Sequence, residues 1–395
     1  MPLVIVPVSI VVLGILGFAH ALVYEALITI SAFLWPALLS WRVIVFLRII
    51  FVLLALSFTL MTLVSFYSGN IVTKIVYRIA AVWTGFLMYF FFAAFGYGAL
   101  VFFQVSLGVT HWSPVTPVVL AEIGLALFVI AALVGIYGVI HAGNTKVTNV
   151  SVKLSRFPES WKGKKAVWIS DIHLGHVRGR KFLEKVVRKI ETLKPDMVFI
   201  GGDLFDGPKI DADAAVEPLR KLCGRTNDGG ATIPRGVYFV MGNHEEFSAT
   251  AATRFLNAVK NIQGMRVLED ELVTVDGVDI IGVDHGHANM PEKFSEILER
   301  LKSVRSENRP SILLKHEPRD LDVAVKAGIS FQISGHTHQG QVFPATLLAW
   351  LVFPGYNYGL HMRGDMQVYT SSGVGTWGPP LRVGTKSEIV LFEFQ

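Results

Sequence analysis

Histidine, aspartate and asparagine side chains occur at five short turns in the C-terminal half of the chain. Each turn follows a run of apolar residues that is typical of a buried strand. The turns are Asp171-Ile-His173, Gly201-Gly-Asp203, Gly242-Asn243-His244-Glu245, Lys315-His316 and Gly335-His336-Thr-His338. Carboxylate, amide oxygen and imidazole are donors that divalent metals bind in proteins. The set of turns therefore predicts a metal site.

Taken singly, each turn has another explanation. An Asp after a strand is often a helix cap or the start of an Asx turn, and a His is more often a hydrogen-bonded surface or core residue. Together the turns contain two Asp, one Asn and five His, which chance does not readily assemble in one domain. The glycines beside them allow the backbone to turn tightly, so the side chains can reach a common point.

The elements that must position these turns alternate along the chain from about residue 166. Apolar runs begin near Val167, Met197, Val237, Ile312 and Ile329, and further strands are expected near 272–283. Helical stretches are predicted near 180–194, 212–222, 250–261, 291–305 and 319–327. This alternation favours a layered α/β domain with its sheets in the middle. Such sheets bind ligands beyond the C-terminal ends of their strands, where all five turns fall.

The turns, in this order, resemble the signature of the calcineurin-like metallophosphoesterases, which is D-x-H, G-D, G-N-H-[DE], a separate His and G-H-x-H. The resemblance extends over about residues 166–395 and implies a four-layer α/β/β/α sandwich. The run G-H-T-H-Q-G-Q, its apolar insert and the later segment 371–382 are similar to a bacterial branch with membrane helices before the catalytic domain. Gln339 stands where that branch more often has Gly, which weakens any assignment of substrate by similarity.

The family resemblance implies two divalent metal ions per chain. Asp171, His173, Asp203 and His338 would hold the first ion. Asp203, Asn243, His316 and His336 would hold the second, so that Asp203 bridges the pair. Manganese is the metal expected first, with iron or zinc as alternatives, because mixed nitrogen and oxygen donors accept all three. Two cations ~3.5 to 4 Å apart lower the pKa of a bridging water, so that hydroxide forms near neutral pH and can attack a phosphate ester.

Three more residues are candidates for contacts in this site. By the resemblance, His244 would protonate the leaving oxygen or neutralise charge on the phosphoryl group. Glu245 is expected to orient His244, with a solvated surface glutamate as the alternative. Arg382 is expected to pair with a substrate phosphate, with an ordinary surface arginine as the alternative. Weaker candidates, because surface histidines are common, are His176, His285, His287 and His361.

The N-terminal region of the chain has the composition of a membrane domain. Residues 1–145 hold few charges and contain apolar runs at about 3–24, 43–66, 79–103 and 117–141. Each run is close to the roughly 20 residues that are needed to cross a bilayer. Four membrane spans are therefore predicted in preference to four buried core helices. The segment 26–41 is also apolar, contains Pro36, and is expected to be re-entrant, interfacial or a fifth span. The expected domains are therefore a membrane domain over residues 1–145, a basic linker with the first edge of the soluble domain at 146–165, and a catalytic domain at 166–395.

Charge distribution indicates orientation and partners. Six basic residues between 146 and 165 follow the fourth run, which places the catalytic domain in the cytoplasm, although Arg42 and Arg48 fit this scheme less well. The chain is expected to be a multi-pass protein of the bacterial inner membrane, with no cleavable signal because no Lys or Arg precedes the first run. A net charge of +5 is modest for nucleic-acid binding, which is not expected. The single cysteine, Cys223, suits a reducing compartment.

An apolar stretch without charged side chains lies between Val342 and Tyr358, close to His338. Its candidate lipid contacts are Phe343, Leu347, Leu348, Trp350, Leu351 and Phe353. One interpretation is a hairpin or short helix that packs on its own domain. The other, which its position favours, is a segment at the bilayer interface that holds acyl chains beside the metals.

These observations predict a membrane-anchored phosphoesterase that cuts a phosphodiester or pyrophosphate bond in an amphiphilic substrate. The resemblance suggests a lipid-linked sugar nucleotide of the UDP-diacylglucosamine type, because the family includes enzymes that hydrolyse it. Alternatives are an anchored enzyme for soluble phosphate esters and a non-catalytic membrane scaffold or transporter. The complete ligand set favours an enzyme, because an idle site would be expected to lose some of its costly buried polar groups.

Overall fold

The computed structural model describes residues 2–106, 116–154, 156–207, 209–224, 230–246, 249–306 and 309–395. The chain forms two compact units. One holds residues up to Ile140 together with Gly378–Leu381, and the other holds His141–Trp377 and Arg382–Gln395.

Four helices make up most of the first unit. They are α1 (Pro2–Leu34), α2 (Trp41–Ser65), α3 (Ile71–Ser106) and α4 (Pro117–Ala142). Among the described residues, these four are long and apolar enough to cross a membrane. The four predicted spans are therefore confirmed as helices. The doubtful segment 26–41 is not a span of its own, because α1 continues through it to Leu34 and a 3-10 turn at Pro36–Leu38 follows.

A histidine inside the helical unit has both ring nitrogens engaged. Trp83 Nε1 donates to His20 Nε2 at 2.8 Å, and His20 Nδ1 lies 2.7 Å from the carbonyl oxygen of Leu16. Because an indole N–H only donates, Nε2 must accept and Nδ1 must carry the proton. His20 is buried, and these bonds satisfy a polar group that apolar surroundings would otherwise penalise.

The second unit contains two mixed sheets. In chain order the strands are β1 (Lys146–Val152), β2 (Lys165–Ile169), β3 (Met197–Ile200), β4 (Val237–Phe239), β5 (Met265–Val267), β6 (Glu271–Val275), β7 (Val278–Gly282), β8 (Ser311–Leu314), β9 (Phe331–Ser334), β10 (Gly359–Arg363), β11 (Met366–Thr370) and β12 (Glu388–Phe394). The described strands form two six-stranded sheets with the orders β1-β12-β2-β3-β4-β5 and β10-β11-β9-β8-β7-β6.

Helices flank the sheets. They are α5 (Arg180–Leu193), α6 (Ala212–Val216), α7 (Ala249–Lys260), α8 (His285–Ala288), α9 (Pro291–Val304), α10 (Leu321–Lys326) and α11 (Ala345–Val352). One core joins α5, α6 and α7 to the first sheet, and another joins α9 and α10 to the second. A third core lies between the sheets, where Trp168 and Phe199 meet Ile312 and Phe331. This is the expected order of layers, α/β/β/α.

The parallel strands explain why the predicted turns meet. In the first sheet β2, β3 and β4 are neighbours and run parallel, and in the second sheet so do β8 and β9. Their C-terminal ends therefore lie along one edge of each sheet. Every predicted ligand follows one of these five strands.

The segment 146–165, expected as a basic linker with the first edge of the soluble domain, contributes strand β1 to the first sheet. Strand β1 pairs in parallel with β12 along all seven of its residues. Thr148, Val150 and Val152 lie on one face of β1, the last of them fully buried, and the exposed Asn149 and Ser151 lie on the other, which suits an edge strand. The sheet thus begins four residues after the last residue of α4, and the chain's last strand closes against it.

Candidate metal centre

Three buried side chains form a first group of donors. His173 Nε2 lies 3.0 Å from His338 Nε2, and His338 Nε2 lies 3.7 Å from Asp171 Oδ1. All three residues are at most 8% exposed. Two imidazole nitrogens at this separation repel each other through their lone pairs unless a proton or a cation lies between them. The group therefore fits a metal ion.

A second group lies beside the first. His316 Nε2 is 3.3 Å from Asp203 Oδ2 and 3.1 Å from Asn243 Oδ1. His336 Nδ1 is 2.9 Å from the same Asn243 oxygen and 3.3 Å from His316 Nε2. His316 Nδ1 donates to the carbonyl oxygen of Gly201 at 2.7 Å, so Nε2 is the nitrogen left for a metal.

Asp203 faces both groups through one oxygen. Its Oδ2 is 3.7 Å from His173 Nε2 and 3.3 Å from His316 Nε2. Its other oxygen, Oδ1, accepts the backbone N–H of His244 at 2.9 Å. Oδ1 is occupied by a hydrogen bond that fixes the carboxylate's orientation.

The pKa values of the donors reflect burial and neighbouring charges. Burial raises the pKa of Asp171 to about 6 and lowers those of His173 and His336 to about 4, so both rings are neutral at pH 7. For His316 burial acts to lower the pKa, but the carboxylate of Asp203 outweighs it and raises the pKa to about 10. A bound metal would displace this proton. The donors thus fit two divalent cations that share Asp203.

Five of the predicted ligands have left-handed backbone conformations. The φ angles are 54° at Asp171, 52° at His173, 51° at Asp203, 67° at His336 and 47° at His338. This region costs an L-residue roughly 1–2 kcal/mol, although Asp and His enter it more often than most residues. Strained residues that persist together in one place are typical of functional sites.

Two glycines leave room for the carboxylates. A Cβ atom on Gly335 would lie 2.4 Å from Asp171 Oδ2, and one on Gly242 would lie 2.3 Å from Asp203 Oδ1. No side chain fits at either position without displacing a carboxylate. The glycines of the predicted motifs are therefore needed for close approach.

Glu245 has a different position from the one expected. It does not orient His244, and it is not solvated, since only 1% of it is exposed. Its carboxylate accepts the backbone N–H groups of Asp203, Leu204, Phe205 and Gly242 at 2.7 to 3.1 Å. The expectation was wrong because neighbours in a turn point in different directions. Glu245 instead holds the loop that carries Asp203.

Arg382 is also placed differently. It is fully buried, so it is neither a surface arginine nor in a position to pair with a substrate phosphate. Its Nη1 donates to the carbonyl oxygen of His338 at 3.1 Å, and its Nη2 donates to those of Ser372 and Gly375 at 2.5 and 2.8 Å. Arg382 thus ties the turn of His338 to the segment before β12.

His244 stands beside both groups and is paired with Asp206, a residue that the sequence analysis missed. His244 Nδ1 lies 3.3 Å from Asp206 Oδ1, and His244 Nε2 lies 4.0 Å from Asp203 Oδ2. Burial would lower the pKa of His244, but the carboxylates of Asp206 and Asp203 raise it to about 9. The available signal was position, since Asp206 follows Asp203 by three residues in the same turn.

Of the weaker histidine candidates, one lies next to the second donor group and two pair with residues outside the two donor groups. The ring centre of His285 lies 5.6 Å from that of His316, so this residue packs directly behind the second group. His287 pairs with Asp270 at 2.5 Å. His361 Nε2 lies 2.7 Å from the carbonyl oxygen of Tyr358 on β10.

The apolar stretch after His338 forms α11, with most of its large side chains in solvent. Phe343, Leu347, Leu348, Trp350 and Leu351 are each 53–64% exposed. Phe353 is the exception. It is only 8% exposed, and its ring centre lies 6.1 Å from that of His336, so it is a packing residue and not the lipid contact expected.

Comparisons with known proteins agree with this geometry. The model of the calcineurin-like phosphoesterase family matches residues 164–340. The chain is 31% identical over 267 residues to an uncharacterized metallophosphoesterase of Aquifex aeolicus, an alignment that covers 66% of this chain and 96% of the relative. The chain belongs to the calcineurin-like metallophosphoesterase family. Members of this family are dinuclear metal-dependent phosphoesterases.

Other relatives of this metallophosphoesterase are matched over less of their own length. It is 33% identical over 274 residues to a Danio rerio protein named transmembrane protein with metallophosphoesterase domain, covering 66% of this chain and 60% of the relative. It is 32% identical over 252 residues to an uncharacterized metallophosphoesterase of Campylobacter jejuni, covering 63% of each chain. The chain thus spans about 60% of the length of the Danio rerio relative.

Removal of the shared carboxylate should empty both halves of the centre. We expect Asp203→Ala to lose both metal ions, because Oδ2 of Asp203 faces both donor groups. Elemental analysis of the purified full chain would give the metal content per polypeptide. Asp322→Ala, which removes a surface aspartate paired with Arg363, should keep two ions. Two ions retained in Asp203→Ala would contradict the shared position.

Loss of the Asp206 carboxylate should change the pH dependence of turnover. If His244 acts in its protonated form, activity falls as pH rises through its pKa, which Asp206 holds up near 9. We expect Asp206→Asn to move this basic limb to lower pH by about one unit. The profile of kcat for a soluble aryl phosphodiester measures it, with the surface variant Asp213→Asn as control. If the basic limb of the pH profile does not move in Asp206→Asn, the pairing with Asp206 does not control the protonation of His244.

Proposed function

We propose that this chain is a membrane-anchored, two-metal phosphoesterase that hydrolyses a phosphodiester or pyrophosphate bond in an amphiphilic substrate. A lipid-linked sugar nucleotide of the UDP-diacylglucosamine type is the substrate we favour. The proposal places the catalytic domain over residues 166–395, in the cytoplasm of a bacterium, with the helices in the inner membrane. The basic residues at 146–165 support this orientation.

The observation that carries the proposal is the convergence of two donor groups on Oδ2 of Asp203. Asp171, His173, Asp203 and His338 would hold one ion, and Asp203, Asn243, His316 and His336 would hold the other. When bound, the ions would supply an acidic water and positive charge for the phosphoryl oxygens. We propose manganese on the family resemblance, while iron and zinc are the alternatives to test, because this mixture of carboxylate, amide and imidazole donors accepts all three.

The chain's own residues contribute orientation and a proton. Glu245 holds the backbone of the Asp203 loop, and Arg382 holds the turn of His338. His244 is placed to give a proton to the leaving oxygen, with its Nδ1 facing Asp206 and its Nε2 on the side of Asp203. Its side chain is 12% exposed, so the proton can be replaced from solvent.

Helix α11 supports the amphiphilic substrate. Its eight residues, Ala-Thr-Leu-Leu-Ala-Trp-Leu-Val, include no charged side chain, and four large apolar side chains between 347 and 351 are more than half exposed. In a soluble setting such a surface is costly, whereas a bilayer or an acyl chain would cover it. Trp350 is of the type that favours the membrane boundary.

The same helix is attached to the metal turn. The ring of Phe353, the residue after α11, packs on His336, and the hydroxyl of Thr337 donates to the carbonyl oxygen of Asn357 at 2.7 Å. Gly340 lies so close to the start of α11 that a Cβ atom there would be 2.5 Å from the Ala345 carbonyl oxygen. A lipid held by α11 would therefore lie within reach of the metal centre.

A hydrolysis screen tests the proposed function. The full chain in detergent, loaded with manganese, would be assayed against lipid-linked sugar nucleotides, other lipid phosphodiesters and soluble phosphodiesters. We expect hydrolysis of lipid-linked substrates, and His244→Ala should keep its metal but lose most turnover. Faster hydrolysis of the soluble esters would favour the alternative of a membrane-anchored enzyme that acts on soluble phosphate esters. A protein that binds two ions and cleaves no ester would favour a scaffold.

Replacement of the exposed face of α11 should separate the two substrate classes. We expect Leu348→Ser, Trp350→Ser and Leu351→Ser, combined in one variant, to reduce kcat/KM for a lipid substrate by about tenfold or more, because apolar contact area is lost. Activity on a soluble aryl phosphate should change less than twofold in the same preparation. Equal losses on both substrates would show that α11 serves packing. A triple Ser variant at Leu56, Leu60 and Leu63 of α2 is the control for general loss of exposed leucines.

A further inference from the structure

One tryptophan of the soluble unit is displayed beside the candidate proton donor. Trp161 and Trp168 are fully buried, whereas Trp377 is 60% exposed. The ring centre of Trp377 lies 6.4 Å from that of His244, with the two planes at 76°. Trp377 also lies outside the residues 164–340 that match the family model. It belongs to neither group of metal donors.

The backbone that carries Trp377 is held firmly. The amide of Gln341 donates through Nε2 to the Trp377 carbonyl oxygen at 3.0 Å and accepts the Trp377 N–H through Oε1 at 2.8 Å. Two residues earlier, the N–H of Gly375 donates to the carbonyl oxygen of Asp171 at 2.8 Å. The exposed indole is therefore fixed relative to the metal turn, and it does not sit on a loose loop.

We infer that Trp377 is a stacking surface for a planar ring in the leaving group of the substrate. This inference rests on the proposed function, in which His244 faces the leaving oxygen. In that reaction the phosphorus gains the oxygen of a water, which releases a proton to solvent, its bond to the leaving oxygen breaks, and the leaving oxygen takes the proton of His244. A ring attached close to that oxygen would lie over or against the indole. Aryl and heteroaromatic groups attached close to the leaving oxygen are the class of leaving group that this surface would recognise.

The contribution of stacking to binding affinity can be measured. Removal of an aromatic partner from a stacked base weakens binding by about 5- to 100-fold, and a saturated ring of similar size lacks the flat face that stacking needs. A phenyl group and a cyclohexyl group therefore form a matched pair of probes. A general apolar contact would serve both, whereas a stacking surface prefers the phenyl group.

The test measures binding of phenylphosphonate and cyclohexylphosphonate to the full chain in detergent, loaded with manganese, by calorimetry. We expect the unchanged protein to bind phenylphosphonate about tenfold more tightly. Trp377→Leu should abolish this preference, and Trp377→Phe should keep most of it. Trp41→Leu, which removes an exposed tryptophan of the helical unit, should behave like the unchanged protein. Metal content verifies that each variant is folded.

The outcomes separate the stacking surface from the proposed reaction. A preference that persists in Trp377→Leu, or that is absent from the unchanged protein, would overturn the inference even if phosphate esters are hydrolysed. A preference that Trp377→Leu abolishes, in a protein that hydrolyses no ester, would support the stacking surface while the proposed function fails. Equal effects of Trp41→Leu and Trp377→Leu would assign both residues to contact with the detergent or membrane and overturn the inference.

Discussion

The position of a single carboxylate oxygen determines the rest of the centre. Oδ2 of Asp203 lies between the histidines of the two donor groups, and it stays there because Oδ1 accepts the backbone N–H of His244. The backbone of Asp203 is held in turn by Glu245, which accepts four N–H groups from two neighbouring turns. A buried carboxylate is costly unless it is hydrogen-bonded or paired. The loops after β3 and β4 therefore form one unit around two acidic residues, one facing the metals and one facing the backbone.

The parallel strands of the two sheets bring the donor turns close together. Parallel neighbours bring the ends of β2, β3 and β4 to one edge, and those of β8 and β9 to the facing edge. Several donors then adopt left-handed conformations to turn back over the strand ends, and Asp203 and His338 are examples. Such conformations persist only where the surroundings determine them strongly. The fully buried core between the sheets, with Trp168 and Phe331, provides that rigidity.

Much of the fold and of the donor set was predictable, for different reasons. The motifs placed the ligands after strands, and strongly periodic helices such as α5 and α9 were located within a residue or two. Strand β1 was hidden in a basic segment, because its pairing with β12 joins residues more than 200 positions apart. The roles of Glu245, Arg382 and Phe353 depended on which way each side chain points, which neighbours in sequence do not reveal. Asp206 was missed because its position three residues after Asp203 does not show that its side chain faces His244.

The proposed function assigns the reaction and the choice of substrate to different parts of the chain. The donors and His244 all lie within the region that matches the family model, residues 164–340. The features that extend away from the metals come later, in the exposed face of α11 and in Trp377. Both are attached to the metal turn, α11 through Phe353 and Trp377 through Gln341. A change in either would alter which group lies beside the phosphate without moving the donors. If the proposed function holds, substrate specificity is to be sought in the residues after 340, and the reaction itself in those before.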